Sequence, residues 1–161
     1  MVFGMTPLTF IHVAISLLAI LSGVAVLFGL LGSKRTDGWT AFFLATTALT
    51  SVTGYFFPFH KLLPSHIIGA ISLVVLAIAT IARYSKQMAG SWRNIYVISA
   101  MIAFYLNVFV LIAQAFMKAP ALYTLAPTQS EPPFLVAQSV VMVVFIVLTV
   151  FAVKRFRLWS L

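Results

Sequence analysis

Five long hydrophobic stretches alternate with short polar segments along the chain. They run over Leu8–Leu31, Trp39–Phe57, Leu62–Ala82, Ile95–Met117 and Phe134–Val153. About 20 apolar residues in a helix are enough to cross the hydrocarbon core of a bilayer. The intervening segments contain the Gly, Pro, Ser and charged residues that are typical of turns. The pattern therefore predicts an all-α integral membrane protein, a bundle of five transmembrane helices that forms a single domain over residues 1–161.

Composition excludes several other classes of protein. Of the 161 residues, 63% are hydrophobic and only 7% are charged, whereas about 25% of the residues in a soluble domain are charged. The net charge of +8 does not indicate nucleic-acid binding, because the basic residues lie scattered in short gaps between apolar runs. The absence of cysteine excludes disulfides and thiolate metal sites, and two acidic residues, Asp37 and Glu131, argue against catalysis by a carboxylate pair. We expect no autonomous catalytic activity.

The basic residues predict the orientation of the helices. Cytoplasmic loops of membrane proteins carry an excess of Lys and Arg. With the N-terminus outside and the C-terminus in the cytoplasm, eight of the ten basic residues fall on the inner side: Lys34, Arg35, Arg83, Lys86, Arg93, Lys154, Arg155 and Arg157. Only Lys61 and Lys118 fall outside. The first stretch has neither the basic start nor the short apolar run of a cleaved signal peptide, so we expect it to be a membrane-spanning helix.

Small and polar residues follow helical spacing in three of the predicted helices. Such stripes allow close packing between helices in a membrane. The first helix carries His12, Ser16, Ala19 and Gly23, and the third carries His66, Ala70, Leu73, Ala77 and Thr80. In the second helix Thr47, Ser51 and Gly54 share a face, and the hydroxyls are expected to bond back to main-chain carbonyls. Both histidine-bearing stripes are therefore predicted to face the bundle.

Two of the three histidines are predicted to lie at the same depth. His12 and His66 each occur about one turn into a helix that runs from outside to inside, which is about 6 Å below the helix start. His60 belongs to the outer loop between the second and third helices. Buried polar side chains in lipid need partners. We therefore expect His12, His66, Asn107, Gln114 and Gln138 to form one outward-opening pocket, unless the bundle divides them between two helix interfaces.

Several functions are compatible with such a pocket. His12 and His66 are candidates for the two axial ligands of a haem b with an electron-transfer role, since a helix bundle offers haem a flat apolar slot. His12, His66 and His60 are the candidates for a copper or zinc site. A quinone or lipid bound by the pocket is another possibility.

The remaining alternative is a non-catalytic accessory or assembly subunit whose histidines only make interhelical hydrogen bonds. Its partners would be the lipid bilayer, other membrane subunits or further copies of the chain. Transport is disfavoured, because the inner half of the predicted bundle carries no ionisable residue along a path.

The stretches "IHVAISLLAILSGVAVLFGLLG", "GWTAFFLATTALTSVTGYFFPF" and "SHIIGAISLVVLAIATIAR" resemble the first three spans of small uncharacterised bacterial membrane proteins. That group is likened to four-helix b-type cytochromes of the inner membrane. The resemblance covers about residues 8–83 and implies a bacterial inner-membrane location. Relatives often carry a His-Arg pair after the first helix, whereas this chain reads "GSKRTDGW" there. The departure argues against a second haem site.

Overall fold

The computed structural model describes residues 6–57 and 64–157, and every regular element in these ranges is a helix. The elements are α1 (Pro7–Leu31), α2 (Asp37–Gly54), α3 (Pro64–Thr80), α4 (Trp92–Lys118), α5 (Pro120–Tyr123) and α6 (Pro132–Arg155). Helix α3 continues as a π-helix over Ile81–Ser85. The chain is therefore all-α, as the hydrophobic pattern predicts, although α5 has no counterpart among the predicted helices.

Among the described residues, four helices are long and apolar enough to cross a membrane: Pro7–Leu31, His66–Ser85, Trp92–Lys118 and Pro132–Arg155. The predicted second span is the exception. Its helix α2 has 18 residues and would be about 27 Å long, but it contains many hydroxyl side chains. Four of these, Thr40, Thr46, Thr47 and Ser51, are buried, so α2 directs its polar groups into the protein.

Proline and threonine mark the helix starts. Thr6 caps α1, because its hydroxyl accepts a hydrogen bond from the main-chain N–H of Thr9 at 3.3 Å, and Pro7 occupies the first helical position. A proline is tolerated there because that N–H has no partner inside the helix. Pro132 starts α6 in the same way. Thr36 adopts a left-handed conformation (φ 41°) just before α2, which turns the chain sharply between the first two helices.

The helices pack in a ring. Helix α1 contacts α2, α2 contacts α3, α3 contacts α4, and α4 closes the ring against α1. Helix α6 packs outside this ring, against α4 and α1. In the ring α1 and α3, which carry His12 and His66, are therefore diagonal rather than adjacent.

Consecutive long helices run in opposite directions, as the contacts between their ends show: the end of one helix lies beside the start of the next, at two ends of the bundle. At one end Arg83 bonds to the main-chain carbonyl of Arg35, Ser33 bonds to the main chain of Arg157, and Arg93 bonds to the carbonyl of Phe156. We call this the basic end, since the loops and helix ends that meet there carry eight of the ten basic residues of the chain. At the other, histidine end, His12 and His66 meet the last turn of α2.

The buried faces agree with the predicted stripe in α1 but not in α3. Ala19 and Gly23 are buried in α1, and a Cβ added at Gly23 would lie 2.5 Å from the Phe104 ring. In α3, however, Ala70, Ala77 and Thr80 are exposed. The buried residues of α3 are His66, Ser72, Leu76 and Ala79, so His66 is the one buried member of the predicted stripe and Leu73 is half-buried. The rest of the predicted face was wrong because small residues occur on two neighbouring faces of this helix, and spacing alone does not choose between them.

Candidate functional site

His12 contacts the last turn of α2. Its Nδ1 lies 2.8 Å from the hydroxyl oxygen of Thr53, and its ring meets the Phe57 ring edge-on with centroids 5.2 Å apart. Gly54 leaves room beside the imidazole, because a Cβ there would lie 3.8 Å from His12 Cε1. Lys118, at the end of α4, is near enough for its charge to act on the ring. His12 is therefore half-buried between α1, α2 and the end of α4.

The hydrogen bonds of Thr53 determine which nitrogen of neutral His12 carries the hydrogen. The Thr53 hydroxyl donates to the main-chain carbonyl of Leu49 at 2.7 Å. A hydroxyl has one hydrogen to donate, so when Thr53 donates it to Leu49 the contact with His12 uses a hydrogen on Nδ1. The lone pair of the neutral ring is then on Nε2, which no hydrogen bond in the described part of the chain engages. An imidazole held through Nδ1–H with Nε2 free is the arrangement of a metal-ligating histidine.

His66 lies on a different surface. It is buried, with 6% of its area exposed, and its main-chain carbonyl accepts a 2.6 Å hydrogen bond from the Tyr55 hydroxyl. The His66 and Tyr55 rings are 5.6 Å apart in a tilted arrangement. Tyr55 also covers Gly69, at which a Cβ would lie 3.3 Å from the phenol oxygen. His66 is therefore packed under Tyr55 at the start of α3.

The two imidazoles contact different residues at and just after the end of α2. His12 meets Thr53 and Phe57, whereas His66 meets Tyr55. Of these three residues only Thr53 lies within α2, which ends at Gly54. The sequence predicts equal depth for the two rings, and depth alone does not give the neighbours that each ring meets.

Two of the three amides of the predicted pocket belong to different helix interfaces. Asn107 in α4 donates to the Thr47 hydroxyl of α2 at 3.0 Å. Gln138 in α6 donates to the main-chain carbonyl of Phe109 at 3.1 Å, while its own side-chain oxygen is buried and has no hydrogen-bond partner among the described residues. Gln114 is half-buried, and no hydrogen bond among the described residues involves its side chain. No hydrogen bond within the described ranges joins any two of the five pocket residues.

The predicted three-histidine metal site includes His60, which lies outside the described residues. Within residues 6–57 and 64–157, no group of three or more His, Asp or Glu side chains is arranged to hold a metal ion. A site on His12 would therefore have at most two His, Asp or Glu ligands from the described part of the protein.

The connection between α4 and α6 lies at the histidine end and is ordered by Glu131. The carboxylate accepts hydrogen bonds from the hydroxyl and N–H of Thr128, at 2.8 and 3.1 Å, and from the N–H of Ser130. Desolvation raises the pKa of Glu131, but these hydrogen bonds outweigh it, so the pKa lies below its usual value. Gln129 ties the connection to α4 through a 2.7 Å bond to the carbonyl of Ala113.

A second polar cluster lies at the basic end, and the sequence pattern did not predict it. Arg83 was expected only as an inner-side charge, yet its side chain is 1% exposed. It forms an ion pair with Asp37, donates to the main-chain carbonyl of Arg35 at 2.9 Å, and lies 4.9 Å from the ring centre of Tyr96. Its Nε is buried and has no hydrogen-bond partner in the part of the chain that the structure describes. The basic end of the bundle therefore contains a buried ionisable residue, contrary to the expectation from the sequence.

Arg83 continues the buried face of α3, four residues after Ala79. Ile81–Ser85 is wound more widely than an α-helix, and Arg83 lies at its centre. A signal was present in the sequence, because Asp37 is one of only two acidic residues and lies next to a predicted span. Such a carboxylate is the natural partner for a basic residue at a neighbouring helix end.

Comparison of the chain with protein-family models, with curated proteins and with solved structures gives no match. The geometry is therefore the basis for a functional conclusion.

Proposed function

We propose that the protein is an integral membrane protein with five crossings, with its N-terminus outside and its C-terminus in the cytoplasm. The antiparallel order of the long helices and the gathering of basic residues at one end support this topology. Helix α2 would be the fifth crossing, protected from lipid on its hydroxyl-rich side by α1 and α3. The resemblance of residues 8–83 to small bacterial membrane proteins supports a location in a bacterial inner membrane.

The topology can be tested with a tag at the C-terminus. In spheroplasts of a bacterial host, such a tag should be protected from added protease and become accessible only after lysis. A tag that is digested in intact spheroplasts would reverse the orientation and place His12 at the cytoplasmic face.

We further propose that His12 holds a haem, or a metal ion, at the outer membrane face for electron transfer. The observation that carries this proposal is the hydrogen bond between His12 Nδ1 and Thr53, which holds the ring and leaves Nε2 without a hydrogen bond among the described residues. A bound haem would supply a one-electron redox couple. His12 would hold the iron through Nε2, and His66 would be the second protein ligand, as the sequence predicts.

An absorption spectrum of the protein, purified in mild detergent from cells supplied with haem, tests this proposal. A Soret band is expected in the wild type and should be lost in His12→Ala. His66→Ala is the matched variant, because it also removes an imidazole at the histidine end. If the band is also lost in His66→Ala, both histidines are ligands.

The metal-ion form of the proposal has its own test. It requires stoichiometric copper, zinc or iron in the purified protein and its loss in His12→Ala. A colourless protein without stoichiometric metal would overturn both forms.

A second candidate function is a non-catalytic accessory subunit, and a specific observation favours it. Three of the predicted pocket residues, His12, Asn107 and Gln138, are hydrogen-bonded to a neighbouring helix. Hydrogen bonds of this kind contribute about 0.6 kcal/mol each in a membrane and need no ligand to account for them. This function predicts that the protein copurifies with larger membrane subunits at constant stoichiometry after gentle solubilisation, whereas a protein isolated alone would contradict it.

A further inference from the structure

An open groove of about 780 Å³ lies at the basic end, between the start of α4, the end of α6 and the turn that precedes α4. Its lining consists of Met88, Gly90, Arg93, Val153, Lys154 and Arg157. Three of the six lining residues are basic, and none is acidic. The site differs in position and in chemistry from the histidine end.

The walls of the groove are held by hydrogen bonds. Arg93 donates to the main-chain carbonyl of Phe156 at 2.7 Å, which joins the start of α4 to the end of α6. The Ser33 hydroxyl lies 2.8 Å from both the N–H and the carbonyl oxygen of Arg157, which joins the same segment to the end of α1. Met88 is buried. The basic side chains therefore extend from a backbone that is fixed on both sides.

The positive charges in the groove have no side-chain carboxylate to neutralise them. The chain has only two acidic residues. Asp37 pairs with Arg83 and Arg35, and Glu131 accepts hydrogen bonds from its own loop before α6. Arg93 uses part of its donor capacity on Asn94 and Phe156, whereas Lys154 and Arg157 are exposed. The groove is therefore suited to an anion.

The surroundings of the groove identify the kind of anion. Val150 and Phe151 lie on the last turns of α6, just before the groove, and they are exposed. Because α6 is one of the four apolar helices that are long enough to cross a membrane, these side chains face acyl chains when the helix is in a bilayer. Basic pockets between helices at the cytoplasmic side of membranes are typical sites for anionic lipid headgroups. We propose that this groove binds the headgroup of an anionic phospholipid, with its acyl chains along α6.

Binding can be measured with the full chain in a neutral detergent, with phosphatidylglycerol as the probe and native mass spectrometry as the readout. Each basic residue near an anionic membrane surface contributes about a fivefold change in affinity. Lys154→Gln or Arg157→Gln should each weaken binding of one lipid about fivefold, and the double variant about 25-fold. Arg155→Gln is the matched control, since Arg155 is exposed on the same helix end but does not line the groove, and it should leave binding unchanged.

Two further measurements distinguish a lipid site in the groove from diffuse attraction of charge and from binding of free phosphate. Phosphatidylcholine, which has no net charge, should bind at least tenfold more weakly than phosphatidylglycerol, and millimolar inorganic phosphate should not displace the bound lipid. Equal loss of binding in Arg155→Gln and Lys154→Gln would show that the charge acts diffusely, and the proposal would fail. It would also fail if the two lipids bound equally or if phosphate alone displaced the lipid. None of these outcomes depends on a ligand at His12.

Discussion

Replacing Asp37 with alanine is expected to destabilise the protein more than replacing Arg83 with methionine, although the two side chains form one ion pair. Asp37→Ala leaves the guanidinium of Arg83 buried with its carbonyl contact to Arg35 and its ring contact to Tyr96, but with no counter-ion. Arg83→Met instead removes the buried charge and fills the space with an unbranched apolar side chain. The Asp37 carboxylate that remains is largely exposed to water and needs no replacement partner.

The size of the effect follows from the exposure of the two partners. Breaking a fully buried ion pair by removing one member costs about 3–5 kcal/mol, whereas an exposed pair contributes less than about 1 kcal/mol. The Arg83 side chain is 1% exposed and that of Asp37 is 66% exposed, so we expect a cost of about 2 kcal/mol for Asp37→Ala. Arg83→Met loses a hydrogen bond and the contact with Tyr96, and should cost about 1 kcal/mol or less.

Unfolding of the purified protein in mixed detergent, followed by helical circular dichroism, would measure these differences. The double variant should be only slightly less stable than Arg83→Met, by the roughly 0.3–1 kcal/mol that a carboxylate contributes at a helix start. Arg35→Ala is the control, because Arg35 also lies near Asp37, at 3.4 Å, but is exposed; it should cost less than about 1 kcal/mol. A larger loss of stability in Arg83→Met than in Asp37→Ala, or additive effects in the double variant, would show that Arg83 does not depend on its counter-ion.

Three further predictions concern other parts of the protein. Gly23→Ala should cost about 1–3 kcal/mol in the same unfolding assay, because its Cβ would meet the Phe104 ring at 2.5 Å; Gly38→Ala, which meets nothing within 4 Å, should cost nothing, and equal losses would contradict this packing. Gln138→Leu should change stability by less than about 1 kcal/mol, because one interhelical hydrogen bond is lost while a buried unpaired oxygen is removed; a loss above about 2 kcal/mol would contradict it. The pKa of Glu131 is lower in the folded protein than in the unfolded chain, so the stability that its carboxylate contributes is complete above the unfolded pKa and is lost as the pH falls through the folded pKa. Glu131→Gln should therefore flatten the dependence of the unfolding free energy on pH below about pH 4.5. An unchanged pH dependence would argue against these hydrogen bonds.

The sequence contains enough information to predict the helices and their alternation. Long apolar runs, separated by turn residues, give the positions of α1, α3, α4 and α6 to within a few residues. The second helix was predicted at Trp39–Phe57 and is found at Asp37–Gly54, a shift that places its acidic residue inside the first turn. Hydrophobicity could not show where the hydroxyl side chains of α2 lie, since that depends on which helices surround it.

The environments of Arg83 and the two histidines could not be predicted from the sequence, for a different reason. A pattern along one helix gives depth and approximate face, but it does not give the neighbour that each face meets. Arg83 continues the buried face of α3 and finds its partner, Asp37, at the start of α2. His12 meets Thr53 and His66 meets Tyr55, two different residues near the end of α2. Both results depend on packing between helices that are distant in sequence.

The absorption spectrum of the haem-supplied protein is the decisive measurement for a ligand role of His12. We expect a Soret band that His12→Ala abolishes and that a second variant, Thr53→Val, alters in position or intensity. Thr53→Val has nearly the same volume but cannot accept the hydrogen bond from Nδ1. A band of unchanged shape and intensity in His12→Ala, or a colourless wild type without bound metal, would contradict the assignment of His12 as a ligand.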